Sequence, residues 1–343
     1  MKIHITKNWD SYLFSFPHEL YDIYFEEKYI KLYETQDNEA ICYVYSEDEK
    51  TLLFPFLIRT FSYKGKIYHD FETAYGYGGP IWNVLDEEFI LRALNGFKIY
   101  CTENNYISGF VRFHPLLNNF IGFNSIGKLI YDRHTIAMDL TLSEEDIWRK
   151  EIHTQNRNTI KKGVKTGLKF IVDKEFEFLN EFVEIYTSTM YKVDADPYFY
   201  FNNNYFNFFK ANIENSFLGL VTFDDKIISG AIFFFSKQYG HYHLSGSRSD
   251  YLYTCPNNFL LYEAVKELKA LGISKFHLGG GINSDEQNSL YQFKRKFSNN
   301  KYDFYIGKAV FYQEVYENIC KTWVQENPEK DVLLNQHLLK YKY

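Results

Sequence analysis

Residues 242–281 read YHLSGSRSDYLYTCPNNFLLYEAVKELKALGISKFHLGGG, and their reading decides the fold. YHLSGS ends a strand, RSDYLYTCPNN is a polar loop, FLLYEAVKELKALG is a helix, and KFHLGGG is the next strand and its exit. Phe259, Leu260, Ala264, Leu268 and Leu271 recur at helical spacing, with Gly272 as the stop. A strand that hands the chain through a loop to a helix N-terminus leaves backbone N–H groups and a positive dipole end facing outward, a place for a phosphate or pyrophosphate. Asn257 and Asn258 are the expected caps of that helix. Gly279, Gly280 and Gly281 let the backbone turn tightly and approach a ligand. They form neither a GxGxxG fingerprint nor a P-loop, because no GK[ST] follows.

Working outward, the same order of elements occurs earlier in the chain. FLGLVTF, IISGAIFFFS and YGHYHLSGS precede the helix, just as ICYVY, TLLFPFLIRTF and KIYHDFETAYGYGGP precede a helical run at residues 87–104. That run places Phe89, Ile90, Ala93, Leu94 and Phe97 on one face, and YISGFVRFHP follows it as ISKFHLGGG follows the later helix. SEDEK and DDK stand at the two hairpin positions. The offset between the halves is roughly 170 residues, the mark of a duplicated unit. Strands alternating with helices predict an α/β fold (α+β, mixed sheet) in two domains. TLSEEDIWRKE opens a new helix, with Ser143 and Asp146 as a capping-box variant, and puts the boundary at 1–145 and 146–343.

Composition narrows the function classes. The chain has 343 residues, 45% hydrophobic and 24% charged, in the range of globular domains. A net charge of −6 argues against a protein whose main task is to grip nucleic acid, DNA included. The 31 tyrosines and 33 phenylalanines fit AT-rich codon usage before they fit base stacking. Cys42, Cys101, Cys255 and Cys320 lie far apart, without a CxxC pair, as expected in a reducing cytoplasm. The N-terminus lacks a signal-peptide pattern and no apolar run is long enough for a membrane span, so a soluble, cytoplasmic protein is expected.

Candidate chemistry concentrates in the second half. DEQNSLYQFKRKFS gathers Lys294, Arg295 and Lys296 between Phe293 and Phe297, and one such lysine can stabilise negative charge on a carbonyl oxygen. NRNTIKKGVKTGLKF carries Arg157, Lys161, Lys162, Lys165 and Lys169, read either as a helix-end charge balance or as a phosphate-binding strip. His241 and His243 share a strand face by spacing, but no third ligand accompanies them and no metal is expected. SGS at 245–247 lacks a GxSxG elbow. Transfer to an amine needs a proton acceptor, for which His243, His241 and Asp285 are candidates by chain position.

YGYGGP, VRFHPLL, RNTIKKGVKTGL, YTSTMYKVDADPYFYF, YHLSGS with CPNNFLLYEA, and FHLGGG with LYQFKRKFS, taken in order, resemble the Fem-like branch of the GNAT acyltransferase superfamily, including BioF2-like acetyltransferases. The resemblance runs from about residue 40 to about 310 and implies two tandem GNAT-like domains. It implies an N-acyltransferase acting on an amine of a cell-envelope precursor (peptidoglycan or polysaccharide) or a sugar-nucleotide precursor, with acyl-CoA or aminoacyl-tRNA as donor. Phe293 and Lys294 match the family's Phe-Lys pair, in which the lysine is linked to acyl transfer. Tyr242 matches an aromatic position lining the acceptor channel. The chain departs from the family in three places. It has no room for the long helical arm of the bridge-forming enzymes. Asp196 stands before Tyr200 where an arginine often grips a precursor diphosphate, and the loop after YHLSGS lacks an RxxGxG pyrophosphate pattern. A non-catalytic GNAT-like binding module is the expectation of a different class.

Overall fold

The computed structural model describes Met1–Tyr343. The chain divides into two compact units, Met1–Asp132 with Asp303–Tyr343, and Arg133–Tyr302. The expected boundary at 145/146 gave the whole C-terminal segment to the second domain. Instead residues 303–343 return to the first unit, because their strand finds its hydrogen-bonding edge there.

In the first unit, strands β1 (Lys2–Thr6), β2 (Asn38–Glu47), β3 (Lys50–Tyr63) and β4 (Lys66–Glu72) pair antiparallel in succession. The short β5 (Ile81–Trp82) pairs with β3, and β6 (Tyr106–Arg112) runs parallel to β4. The helix Glu87–Glu103 supplies the crossover from β4 to β6. Asp86 caps it by accepting from Phe89 N at 3.0 Å. All five residues expected on its apolar face are buried.

The second unit repeats this order. It is built on β7 (Lys128–Asp139), which begins in the last residues of the first unit, and on β8 (Lys169–Asp173), β9 (Ser216–Phe223), β10 (Lys226–Phe235), β11 (Tyr239–Ser247) and β12 (Lys275–Gly280). β8 to β11 pair antiparallel in succession, β12 is parallel to β11, and β7 is antiparallel to β12. The helix Pro256–Ala270 makes the β11–β12 crossover, as Glu87–Glu103 does for β4–β6. Both hairpins turn at the expected acidic residues: Asp224 and Asp225 have φ of 49° and 58°, and Asp48 has φ of 54°. The left-handed pair Asp224–Asp225 matches the twist of a two-residue hairpin, while the first hairpin has one such residue. Finally β13 (Lys301–Val310) pairs antiparallel with β6 from Ile306↔Arg112 to Val310↔Ser108, which ties the C-terminal segment to the first unit.

Each unit has its own apolar core. Phe54, Phe56, Phe71, Phe89 and Phe97 fill the first. Phe217, Phe233, Leu260, Leu268 and Phe276 fill the second. Ser143 Oγ accepts from Asp146 N at 3.1 Å, as the capping variant requires. Leu271, expected on the buried face of its helix, lies past the last turn and is exposed. No helix is long and apolar enough to cross a membrane.

Candidate acyl-transfer site

The decisive local geometry in the second unit lies between the parallel strands β11 and β12. They pair only at Tyr239↔Lys275, Gly240↔Phe276 and His241↔His277. Beyond that point β11 stays with β10 as far as Ser247, while β12 stays with β7 as far as Gly280. The two strands therefore part, and a wedge opens between their C-terminal halves. Both walls bend at the same level. His243 is the extra residue where Ile232↔Leu244 gives way to Phe233↔Tyr242. Leu278 is the extra residue where His277↔Ala137 gives way to Gly279↔Ile136. A bulge kinks its strand and strengthens the local twist, which here separates two strands that would otherwise stay paired.

The matching strands of the first unit do not part. β4 and β6 pair from His69↔Tyr106 to Glu72↔Phe110, and Gly78 bridges Phe113 further on. The Phe71 ring fills the space over Gly109, where an added Cβ would sit 2.0 Å from a ring carbon. One fold thus occurs in a closed and an open form.

Lys294 lies against one wall of the wedge. It is on the short helix Ser289–Arg295, whose N-cap Asn288 accepts from Leu290 N at 3.1 Å. Its Nζ donates to Gly280 O at 2.8 Å and sits 6.0 Å from the centre of the Tyr242 ring. The side chain is buried, with 8% of its surface exposed. Loss of water is the main cause, and the nearby Arg133 charge the second, that bring its pKa down to about 7. Both forms are then populated at neutral pH. An ammonium has three donors, of which Gly280 takes one, while the neutral amine has a lone pair able to accept a proton. Tyr242 donates to Ser245 Oγ at 2.6 Å and stacks on Phe233, and burial pushes its pKa up to about 12. Phe293 packs onto the core and edge-on to Phe297. Of the glycines, Gly279 takes φ of 78°, and a Cβ on Gly281 would lie 3.0 Å from Tyr291 Cβ.

Several expected site residues stand elsewhere. His243 does not share the Tyr242 side of the strand: its ring packs on Phe209 and Phe234, and its Nε2 is 2.7 Å from Tyr205 Oη. Burial first, then the charge of His241, lowers its pKa to about 3, which leaves a feeble base. His241 is buried in the paired part of the strand, 5.6 Å ring to ring from His277. Asp285 is exposed and closes its own turn by accepting from Gln287 N at 2.8 Å. Arg157 spends its guanidinium on the carbonyls of Trp148, Arg149 and Ile152, capping the short π-helix before it. Lys161 is exposed, 5.9 Å from the Trp148 ring, and Tyr200 packs 5.1 Å from Tyr191. Asp196 accepts from Tyr198 N at 2.9 Å.

The helix start also differs from expectation. Cys255, at φ of 64°, is the N-cap and Pro256 the first helical residue, so neither asparagine caps. Asn257 Oδ1 accepts from Ser229 Oγ at 2.9 Å and from Ser247 Oγ. Asn258 Nδ2 donates to Asn156 Oδ1 at 2.6 Å. The loop before them winds into a 3₁₀ turn, Ser249–Thr254. A Cβ at Gly163 would meet Phe259 Cβ at 3.2 Å and Thr254 O at 3.5 Å, so the helix Thr154–Thr166 closes on this end. Arg133, which donates to Gly281 O at 2.8 Å, was not legible in the sequence. It belongs to no motif along the chain, and only the fold brings it to the glycine turn.

Residues 150–295 match the family described as acetyltransferase (GNAT) domain. The match lies within the second unit. FemX has a similar structure, with a TM-score of 0.69 at 14% identity over 93% of this chain and 100% of that one. The C-terminal domain (DUF2156) of a putative lysylphosphatidylglycerol synthetase from Agrobacterium fabrum follows at 0.54 and 14% identity, over 88% and 90%. L-PGS from Bacillus licheniformis gives 0.52 and 13% identity, over 79% and 83%. No curated protein matches the chain. The fold is thus similar to that of FemX, and of the two similarly ordered units the second, which holds the opened strand pair, carries the match to the acetyltransferase (GNAT) domain.

Proposed function

We propose that this chain is an N-acyltransferase that moves an acyl or aminoacyl group onto an amine of a cell-envelope or sugar-nucleotide precursor. The observation that carries the reading is the wedge between β11 and β12 with the buried Lys294 on its wall. A donor carbonyl held there would meet an ammonium in a water-poor setting, where charge stabilisation is strong. The acceptor nitrogen attacks the carbonyl carbon, the C–N bond forms, and the C–S or C–O bond to the donor breaks. With Lys294 acting as the ammonium and His243 buried as a feeble base, the proton lost by the amine passes through a water chain to the departing sulfur or oxygen, which leaves as a thiol or hydroxyl. Much of the acceleration would come from holding donor and acceptor together.

A second reading, in which the donor is an aminoacyl-tRNA, is favoured by the start of the helix Pro256–Ala270. Its first turn begins with a proline, its asparagines bond within the protein, and its loop is wound into a 3₁₀ turn. A diphosphate cradle is built from outward N–H groups, whereas here the proline has none and those of Arg248, Tyr251, Cys255 and Phe259 bond to carbonyls of the chain. Calorimetric titration with CoA, beside filter retention of charged tRNA, separates the donors. We expect weak or no heat with CoA, and tRNA retention that falls as salt rises, because phosphate contacts release counterions. Tight CoA binding with no tRNA retention reverses the choice of donor. Failure of both donors to yield an amide with an amine acceptor, followed by mass spectrometry, sinks the acyltransferase reading.

A further inference from the structure

We infer that Arg133 is a positioning residue for acyl transfer: it holds the Gly281 carbonyl as Lys294 holds the Gly280 carbonyl, and together they fix the exit of β12 beside the wedge. The inference rests on the proposed function. Glycine peptides are free to rotate and have no side chain to anchor them. Here two successive carbonyls are each taken by a cation at 2.8 Å. The turn is also closely packed. A Cβ on Gly280 would lie 3.0 Å from His134 O and 3.2 Å from Arg133 Cδ. β7 delivers Arg133 to this place through the Gly280↔Thr135 register.

The chemical consequence follows from the direction of the carbonyl dipoles. A donor carbonyl that becomes an oxyanion is repelled by backbone oxygens pointing at it. Tying both oxygens to cations turns that negative charge aside and leaves two Nζ donors of Lys294 for the substrate. Arg133 also sets the charge around Lys294. The other titratable groups near this helix are Tyr242 across the wall, Tyr291, Arg295 and Lys296 on and beside the helix, and Glu286 with His134. Glu286 is engaged by Lys301 at 2.8 Å and by His134 at 3.6 Å. Arg133 is the charge that acts directly on Lys294.

The test is a titration of Lys294 by NMR in protein labelled with ¹³C-lysine, its resonance assigned by its loss in Lys294→Met. In Arg133→Met the midpoint should rise by roughly half a unit or more, because a neighbouring like charge is gone. Arg133→Lys should restore most of the wild-type midpoint. An unchanged midpoint in Arg133→Met with wild-type circular dichroism overturns the inference. Should that variant not fold, Arg133→Gln, which keeps a donor for Gly281 without the charge, serves for the same measurement. In turnover assays Arg133→Met should lower kcat about tenfold with KM unchanged, and a change in KM alone also overturns the inference. The titration needs no substrate, so an inactive wild type would defeat the proposed function and leave this result standing.

Discussion

Lys294 shows how far burial alters the meaning of a residue type. Read from the chain, it was a cation on a basic segment beside Lys296. In the fold it is desolvated, bonded to a glycine carbonyl and shifted to about 7, whereas Lys296 is partly exposed at the helix end. Lys294→Met should lower turnover by about two to three orders of magnitude, the usual scale for losing one oxyanion donor. Lys296→Met, measured alongside, should stay within about threefold of wild type if single-donor loss is specific to Lys294. Equal losses would mean a general basic patch. Lys294 also gives the stability of the wild type a pH signature. Its folded pKa of about 7 lies below the ordinary 10.5, so the native state resists a proton that the unfolded chain accepts. That penalty is fully present below pH 7 and fades as pH rises toward 10.5, an effect on the order of a few kcal/mol. Urea denaturation across this window should show wild-type stability rising with pH more steeply than that of Lys294→Met. Parallel curves would show that the lysine is not depressed.

At the scale of elements, the open strand pair depends on what holds β11 after it leaves β12. β11 keeps its ladder to β10 and is backed by the helix Leu179–Lys192. Thr189 Oγ1 accepts from Ser247 N at 3.0 Å, which fastens the strand end to that helix. Gly246 permits the close approach: an added Cβ would lie 2.8 Å from Ile185 O and from Tyr186 Cα. Those are backbone atoms and cannot rotate away. Gly246→Ala should therefore push the helix off the strand and cost about 1–3 kcal/mol, as overpacking does. Chemical denaturation checks this, and a loss below about 0.5 kcal/mol, the range of ordinary surface substitutions, would show that the contact relaxes freely.

At the scale of the whole chain, the last residues belong to the first unit. Tyr341 Oη is 2.8 Å from Ser108 Oγ, and its ring lies 5.4 Å from the Arg59 guanidinium. Arg59 in turn donates to the buried Asp70 at 3.0 Å. The helix Gln313–Glu326 covers Tyr68 and Ile107 with Val315, Tyr316 and Ile319. Removing residues 311–343 would leave β13 in place and strip this cover from Phe61, Tyr63, Tyr68 and Ile107. Thermal melting should shift down by several degrees and ANS binding should rise, because an apolar face and an ion pair lose their shelter. An unchanged melting curve would show that the segment adds nothing to the fold.

Much of the architecture was legible because it rests on local chemistry. The two acidic hairpin turns, the faces of Glu87–Glu103 and Pro256–Ala270, and the stop at Gly272 follow from φ preferences and a helical period, which need only near neighbours. The repeated order of these elements makes the duplication readable, and the Phe293-Lys294 pair stands out along the chain while its surroundings do not. The sequence by itself could not separate the closed β4–β6 pair from the open β11–β12 pair. That difference arises from bulges at His243 and Leu278, whose partners lie far along the chain. For the same reason Asn257 and Asn258 were misread as caps: Ser229 and Asn156, which take up their amides, are close only in space. The return of residues 303–343 to the first unit, the quenching of His243, the shift of Lys294 and the arrival of Arg133 at the glycine turn were likewise decided by tertiary structure alone. Desolvation and long-range pairing are properties of the assembled core, and no local stretch of chain contains them.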